Sequence, residues 1–248
     1  MVCHGQALRR SLDVTSLRTV VHGPTNLKLG SSLHDRAGEG LLEYAHMVGA
    51  RHVVYHALDV PRQGADTNGE EQSLARLALA AETLGVTICA ENLCPVYPGA
   101  PKVNHDPLVV RALVERIGSP ALRMLFDLGH ANVVADIEGT GVGELLEPAL
   151  DAIALFHVHD NIGARRRGGG GFALDPLRLD LHLPPGLGTL PWERIAPALH
   201  DHAAPLVMEI HPSHRPAAGA LRQALRAAVT DEPGADTAEL EVVPNALA

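Results

Sequence analysis

Residues 122–130 read LRMLFDLGH: a short apolar run of strand character closes on Asp127, and His130 follows three residues later. Five more runs repeat the pattern. LRTVVH ends at His22, ARHVVYH at His56, GVTICAE at Glu91 and AIALFH at His157, while PLVMEIH carries Glu209. One polar residue at one strand end means little. Six at the same end of successive strands converge on one point if those strands are parallel, and each of these residue types can hold a metal ion or move a proton.

Between the runs lie segments of helical spacing, the alternation that favours parallel strands joined by helices. GEGLLEYAHMVGA ends at Gly49, EQSLARLALAAETLG closes on Gly85, and DPLVVRALVERIG has Asp106 as N-cap, Pro107 at the first helical position and Gly118 at the end. GELLEPALD precedes AIALFH, and LPWERIAPALHDH precedes PLVMEI, with Pro197 set to shorten or bend that last helix. The stretch after His22, GPTNLKLGSSLHDRAG, reads as a polar loop. This repeating unit predicts an α/β fold, a (β/α)8 TIM barrel with its chemistry at the C-terminal ends of the strands. Residues 1–229 form one domain on this reading. Residues 161–190 are rich in Gly, Pro and Arg, as functional or mobile loops are, and residues 230–248 read as an acidic, poorly ordered tail.

The composition excludes some functions. With 248 residues and 46% hydrophobic content a sizeable core is available, filled by Ala, Leu and Val because aromatics are only 3%. A net charge of −9 disfavours a surface built for duplex DNA, although a local basic patch remains open. Lysine occurs only at Lys28 and Lys102, which reads as a bias of composition without bearing on function. The three cysteines, Cys3, Cys89 and Cys94, have no framework spacing, no signal-peptide core opens the chain, and no apolar stretch is long enough to span a bilayer. A reduced, soluble, cytoplasmic protein is the expectation.

Fifteen histidines are many for this length, and several sit in apolar surroundings. In HVHDN, strand alternation puts His157 and His159 on one face and Val158 on the other. Buried imidazoles need partners, so two inward histidines are poor plain packing. Asp127 and His130 stand on a turn leaving the strand, where both can face a central cavity; a turn or cap role is the alternative. Glu91 and Glu209 end apolar strands, and a buried carboxylate needs a cation or a donor. Arg and Lys are absent from these strand ends, so a divalent metal satisfies them better than a salt bridge. The mixed oxygen and nitrogen set suits Zn, Mn, Co or Mg. Asp180 and His182, two residues apart in DLH, add a second carboxylate and imidazole pair.

Taken together, HGPTNL, VVYHA, CAENL, DLGH, HVHDN, DLHLPPGLG and MEIHP resemble, in order, the xylose isomerase-like TIM-barrel superfamily, from about residue 17 to 212. That superfamily contains sugar isomerases and epimerases, and also the endonuclease IV type of abasic-site nuclease. The sugar branch implies one metal on Glu91, Asp127, His157 and Glu209, with Glu91 and Glu209 as catalytic proton carriers between neighbouring carbons and His130 and His159 at the substrate. The nuclease branch implies up to three ions: one on His22, His56 and Glu91, one on Glu91, Asp127, His157 and Glu209, and one on His130, Asp180 and His182.

One departure stands out. Only about 16 residues precede the strand ending at His22, where relatives have two strands and a helix, so the first βαβ unit is missing or the barrel is closed by a partner subunit.

The balance of charge favours a metal-dependent sugar or sugar-phosphate isomerase or epimerase acting on a small carbohydrate. A zinc phosphodiesterase for abasic-site DNA and a metal-dependent dehydratase or lyase are the alternatives, with a non-catalytic metal-binding scaffold behind them. Arg165, Arg166 and Arg167, just after the His157 strand, can clamp a substrate phosphate or form a solvated loop.

Overall fold

The computed structural model describes residues 2–15, 17–95, 100–164 and 180–212, together with 222–223, 225–226 and 229. Arg165, Arg166, Arg167 and residues 230–248 lie outside the described residues. The chain divides into two compact units, Met1–Asn92 with Pro101–Leu125 and Ala152–Ala154, and Leu93–Ala100 with Phe126–Asp151 and Leu155–Ala248.

The first unit alternates helix and strand: α1 Val2–Thr15, β1 Val20–His22, α2 Ser32–Val48, β2 His52–Tyr55, α3 Asn68–Leu84, β3 Thr87–Glu91, α4 Pro107–Ile117 and the start of β4, Leu122–Asp127. Its strands pair in parallel, with His22 level with Val54, Val54 with Cys89 and Glu91 with Leu125. Such strands are covered on both faces and need continuous apolar sequence. Val53, Val54, Ile88, Cys89 and Ala90 are accordingly buried. The helices stop where glycine supplies a left-handed residue, at Gly49, Gly85 and Gly118, with φ of 76, 66 and 67°.

Two helices differ from the sequence expectation. α2 starts within the stretch read as a loop, because Ser31 caps it through His34 N and Asp35 sits in its first turn. Its Gly38 is the point of close approach to α3, where a Cβ would lie 2.9 Å from Leu77 Cδ1. α1, for which no helix was expected, carries the exposed Arg9–Asp13 pair.

The second unit holds the end of β4, α5 Leu128–Glu138, α6 Val142–Leu146, most of β5 Ile153–Val158, from Leu155 on, α7 Trp192–Asp201 and β6 Leu206–Met208. β5 and β6 are parallel, His157 level with Val207. Phe126 and Phe156 meet edge to face at 6.5 Å, each fully buried and contributing about 1.5–3 kcal/mol. Pro197 lies inside α7 without ending it. The turn expected after Asp127 is instead the first turn of α5, with Asp127 as its N-cap.

Within the units the strands pair in chain order, β1-β2-β3-β4 in the first and β5-β6 in the second, six among the described residues where a complete barrel has eight. No helix among these residues is long and apolar enough to cross a membrane.

Candidate active site

In the first unit three of the strand-end residues come together. Glu91, 1% exposed, closes β3; its Oε2 lies 3.2 Å from His56 Nε2, just past β2, and 3.6 Å from His22 Nε2 at the end of β1. The two rings meet edge to face at 5.1 Å. His22 Nδ1 is 2.7 Å from its neighbour's carbonyl, Gly23 O, and donates to it. With Nδ1 donating to that carbonyl, the ring is held with Nε2 toward Glu91, as an outer hydrogen bond orients a metal-ligating histidine.

The second unit gathers the rest. Asp127, fully buried, is approached by His159 Nε2 at 3.1 Å on Oδ1 and by His130 Nδ1 at 3.5 Å and His157 Nδ1 at 3.7 Å on Oδ2. The same His157 Nδ1 lies 3.4 Å from Glu209 Oε1. Asp180 stands 3.1 Å from His182 Nε2, 3.6 Å from His130 Nε2 and 3.7 Å from His159 Nε2. His130, His159, Asp180 and His182 each offer a donor atom within 4.8 Å of the others, as do His22, His56 and Glu91 in the first unit.

These separations are informative. Donors bound to one ion at about 2.1 Å sit about 3.0–3.4 Å apart, whereas a hydrogen bond would draw them closer than most of these. His159 supplies a second test. It is fully buried, and beyond the 3.1 Å approach of Nε2 to Asp127 its ring nitrogens find no hydrogen-bond partner, so a cation at one of them would offset part of a cost of about 1–3 kcal/mol. Its ring rests over Gly129, where a Cβ would lie 2.1 Å from His159 Cε1. The donor sets therefore fit a divalent ion.

Burial works against charge on His182, but the hydrogen-bonded Asp180 carboxylate, with Asp127 and Glu209 behind it, pushes its pKa up to about 9. Burial opposes charge on His130 too, yet Asp127, Cys94 and Asp180 hold it well above the ordinary value. Asp180 is lowered in return, its burial outweighed by His130 and His182. His182 Nδ1 reaches Glu209 O at 2.7 Å, and His182 adopts φ of 47°, rare for a residue with a side chain.

Every candidate among the described residues thus falls into one group or the other: His22, His56 and Glu91 in the first unit, and Asp127, His130, His157, His159, Asp180, His182 and Glu209 in the second. Asp127 holds both roles weighed for it, because its Oδ1 also accepts from His130 N at 2.7 Å as the cap of α5. His159, expected at the substrate, lies beside His130, Asp180 and His182.

Sequence reasoning passed over the two lysines. Lys28 and Lys102 both pair with the carboxylate of Asp59, which is thereby lowered, the two ammonium groups outweighing its burial. These three residues come from the loops following β1, β2 and β3, the strands that present His22, His56 and Glu91. Their concentration in a chain with no other lysine was the available signal.

Comparison with known proteins agrees with this architecture. Residues 4–229 match the xylose isomerase-like TIM barrel family, and the chain belongs to that family. Its fold is that α/β barrel. Among solved structures it is similar to a D-tagatose 3-epimerase-like protein at 21% identity, covering 91% of this chain and 82% of the other with a TM-score of 0.71. It is also similar to D-psicose 3-epimerase with D-tagatose from Clostridium cellulolyticum H10 (16%, 92% and 82%, TM-score 0.66). A third likeness is to the IOLI protein with a binding zinc atom (18%, 92% and 82%, TM-score 0.66). No curated protein matches the chain by sequence.

Proposed function

We propose that this protein is a divalent-metal-dependent isomerase or epimerase of a sugar or sugar phosphate. The observation that carries the reading is His157: two carboxylates, Asp127 and Glu209, face one ring nitrogen at 3.7 and 3.4 Å. One Nδ1 cannot donate to both, and a cation answers two acidic groups around a buried ring better than a proton does. Sugar epimerases among the structurally similar proteins, and a zinc-bound protein beside them, support the same choice.

An ion held by Asp127, His157 and Glu209 would supply Lewis acidity toward the sugar's oxygens. The chain's own groups then handle the proton. Glu209, whose side chain is 26% exposed, is the carboxylate open to substrate and takes the proton from carbon; Glu91, 1% exposed and beside His56, returns one to the other face. His130 and the three arginines Arg165, Arg166 and Arg167 are proposed to contact substrate, the arginines at a phosphate.

The second cluster, His130, His159, Asp180 and His182, favours one further reading, a zinc phosphodiesterase with more than one ion. The test is a panel of ketoses and ketose phosphates set against an abasic-site oligonucleotide, with metal equivalents counted on the purified protein. Proton exchange at a sugar carbon with no cleavage of the oligonucleotide is the expected result; cleavage without sugar turnover overturns it.

A further inference from the structure

Asp160 follows His159 directly, is fully buried, and belongs to neither donor cluster. Its carboxylate is satisfied by four N–H groups, two on each oxygen. Oδ1 accepts from Asn161 N at 2.9 Å and Leu190 N at 3.1 Å, and Oδ2 accepts from Gly186 N and from Trp192 Nε1, both at 3.0 Å. An ionised carboxylate has about four lone-pair positions, so Asp160 is saturated and has none left for an ion or a substrate. Its backbone adds two more ties, exchanging N–H···O bonds of 2.8 Å with Leu183.

All but one of these partners lie in residues 183–192. That segment begins one residue after His182, the donor held in a left-handed conformation, and three after Asp180. Gly188 is wedged between the same groups: a Cβ there would lie 2.1 Å from both Asp160 Oδ1 and Asn161 O.

We infer that Asp160 is a positioning residue, a buried anion whose four N–H bonds fix residues 183–192 and thereby hold Asp180 and His182 against His130 and His159. The inference rests on the preceding reading only in taking that cluster as the place where an ion is held.

The test compares wild type, Asp160→Asn and Trp192→Phe by hydrogen exchange and by Co2+ titration followed in the visible spectrum. Asparagine at 160 keeps the shape but turns one acceptor into a donor facing two N–H groups, while the Trp192→Phe change removes one bond and leaves the carboxylate. In Asp160→Asn, exchange in peptides covering 183–192 is expected to rise about tenfold or more, with β1–β4 unchanged. The Co2+ dissociation constant is expected to rise about tenfold, as for loss of an outer-shell partner. Trp192→Phe moves both readouts in the same direction by less. Unchanged exchange in 183–192 overturns the inference, and so does faster exchange with wild-type Co2+ affinity. If Asp160→Asn does not fold, Trp192→Phe decides by the same two criteria. Wild-type protein that takes up no Co2+ would instead sink the metal reading, and exchange alone would then decide the anchoring.

Discussion

His159 lies flat against His182, ring centroids 4.0 Å apart and planes 14° from parallel. Two charged imidazoliums would repel at that distance. Two neutral rings sharing an ion with His130 and Asp180 would not. Replacing His159 with Phe keeps the stacking surface and removes only the nitrogens, so the variant is expected to fold and to bind Zn2+ about ten- to a hundredfold more weakly at that cluster. Competition titration against a chelating dye measures this; an unchanged affinity would remove His159 from the ligand set.

Gly129 is needed for a related reason. It is helical and would otherwise favour Ala, but any Cβ would lie 2.1–2.5 Å from the His159 ring. Gly129→Ala is therefore expected to destabilise the fold by about 1–3 kcal/mol through overpacking, read from urea unfolding of metal-free protein. A stabilised variant would show that the ring is free to move.

Asp127 separates two roles that one substitution usually confounds. Asp127→Ala removes both the α5 cap and the donor facing His157 and is expected to cost about 1 kcal/mol of stability beyond the loss of metal. Asp127→Asn retains an oxygen for His130 N and should lose the ion while keeping most of that stability. Unfolding in chelator, set beside metal analysis, distinguishes the variants; equal metal content in both and in wild type would refute the role.

The His182 pair fixes a pH window. Its folded pKa of about 9 lies above the ordinary 6.5, so in metal-free protein the charged His182–Asp180 pair stabilises fully below 6.5 and its contribution is lost as pH rises through 9. Melting temperature of chelated wild type should fall across that range, and His182→Gln should flatten the fall. Ion binding must displace the same proton, so Zn2+ affinity should climb over the window and level off above it.

Much of this was readable in the chain because the signals are local. Strand-end His, Glu and Asp residues follow short apolar runs, and Asp106, Pro107 and Gly118 delimit α4 as capping chemistry dictates. What escaped depends on partners far along the chain. The start of α2 was hidden by Gly38 and Gly40, whose low helical propensity masks a helix that Ser31 initiates and packing against Leu77 completes. The exclusion of Asp160 from the ligand set, despite its place in HVHDN, rests on Gly186, Leu190 and Trp192, some thirty residues later. No periodicity encodes such a meeting.

The convergence of Lys28 and Lys102 on Asp59 has a practical side. Apart from the α-amino group, these two are the chain's whole stock of primary amines. Any reagent aimed at lysine amines, whether a fluorophore ester, a cross-linker or an activated resin, therefore attacks the tie that joins the loops behind His22, His56 and Glu91. Acylation would leave Asp59 without its counter-charges and pull those three loops apart, so immobilisation by this chemistry should cost far more function than attachment through the exposed carboxylates or an added tag.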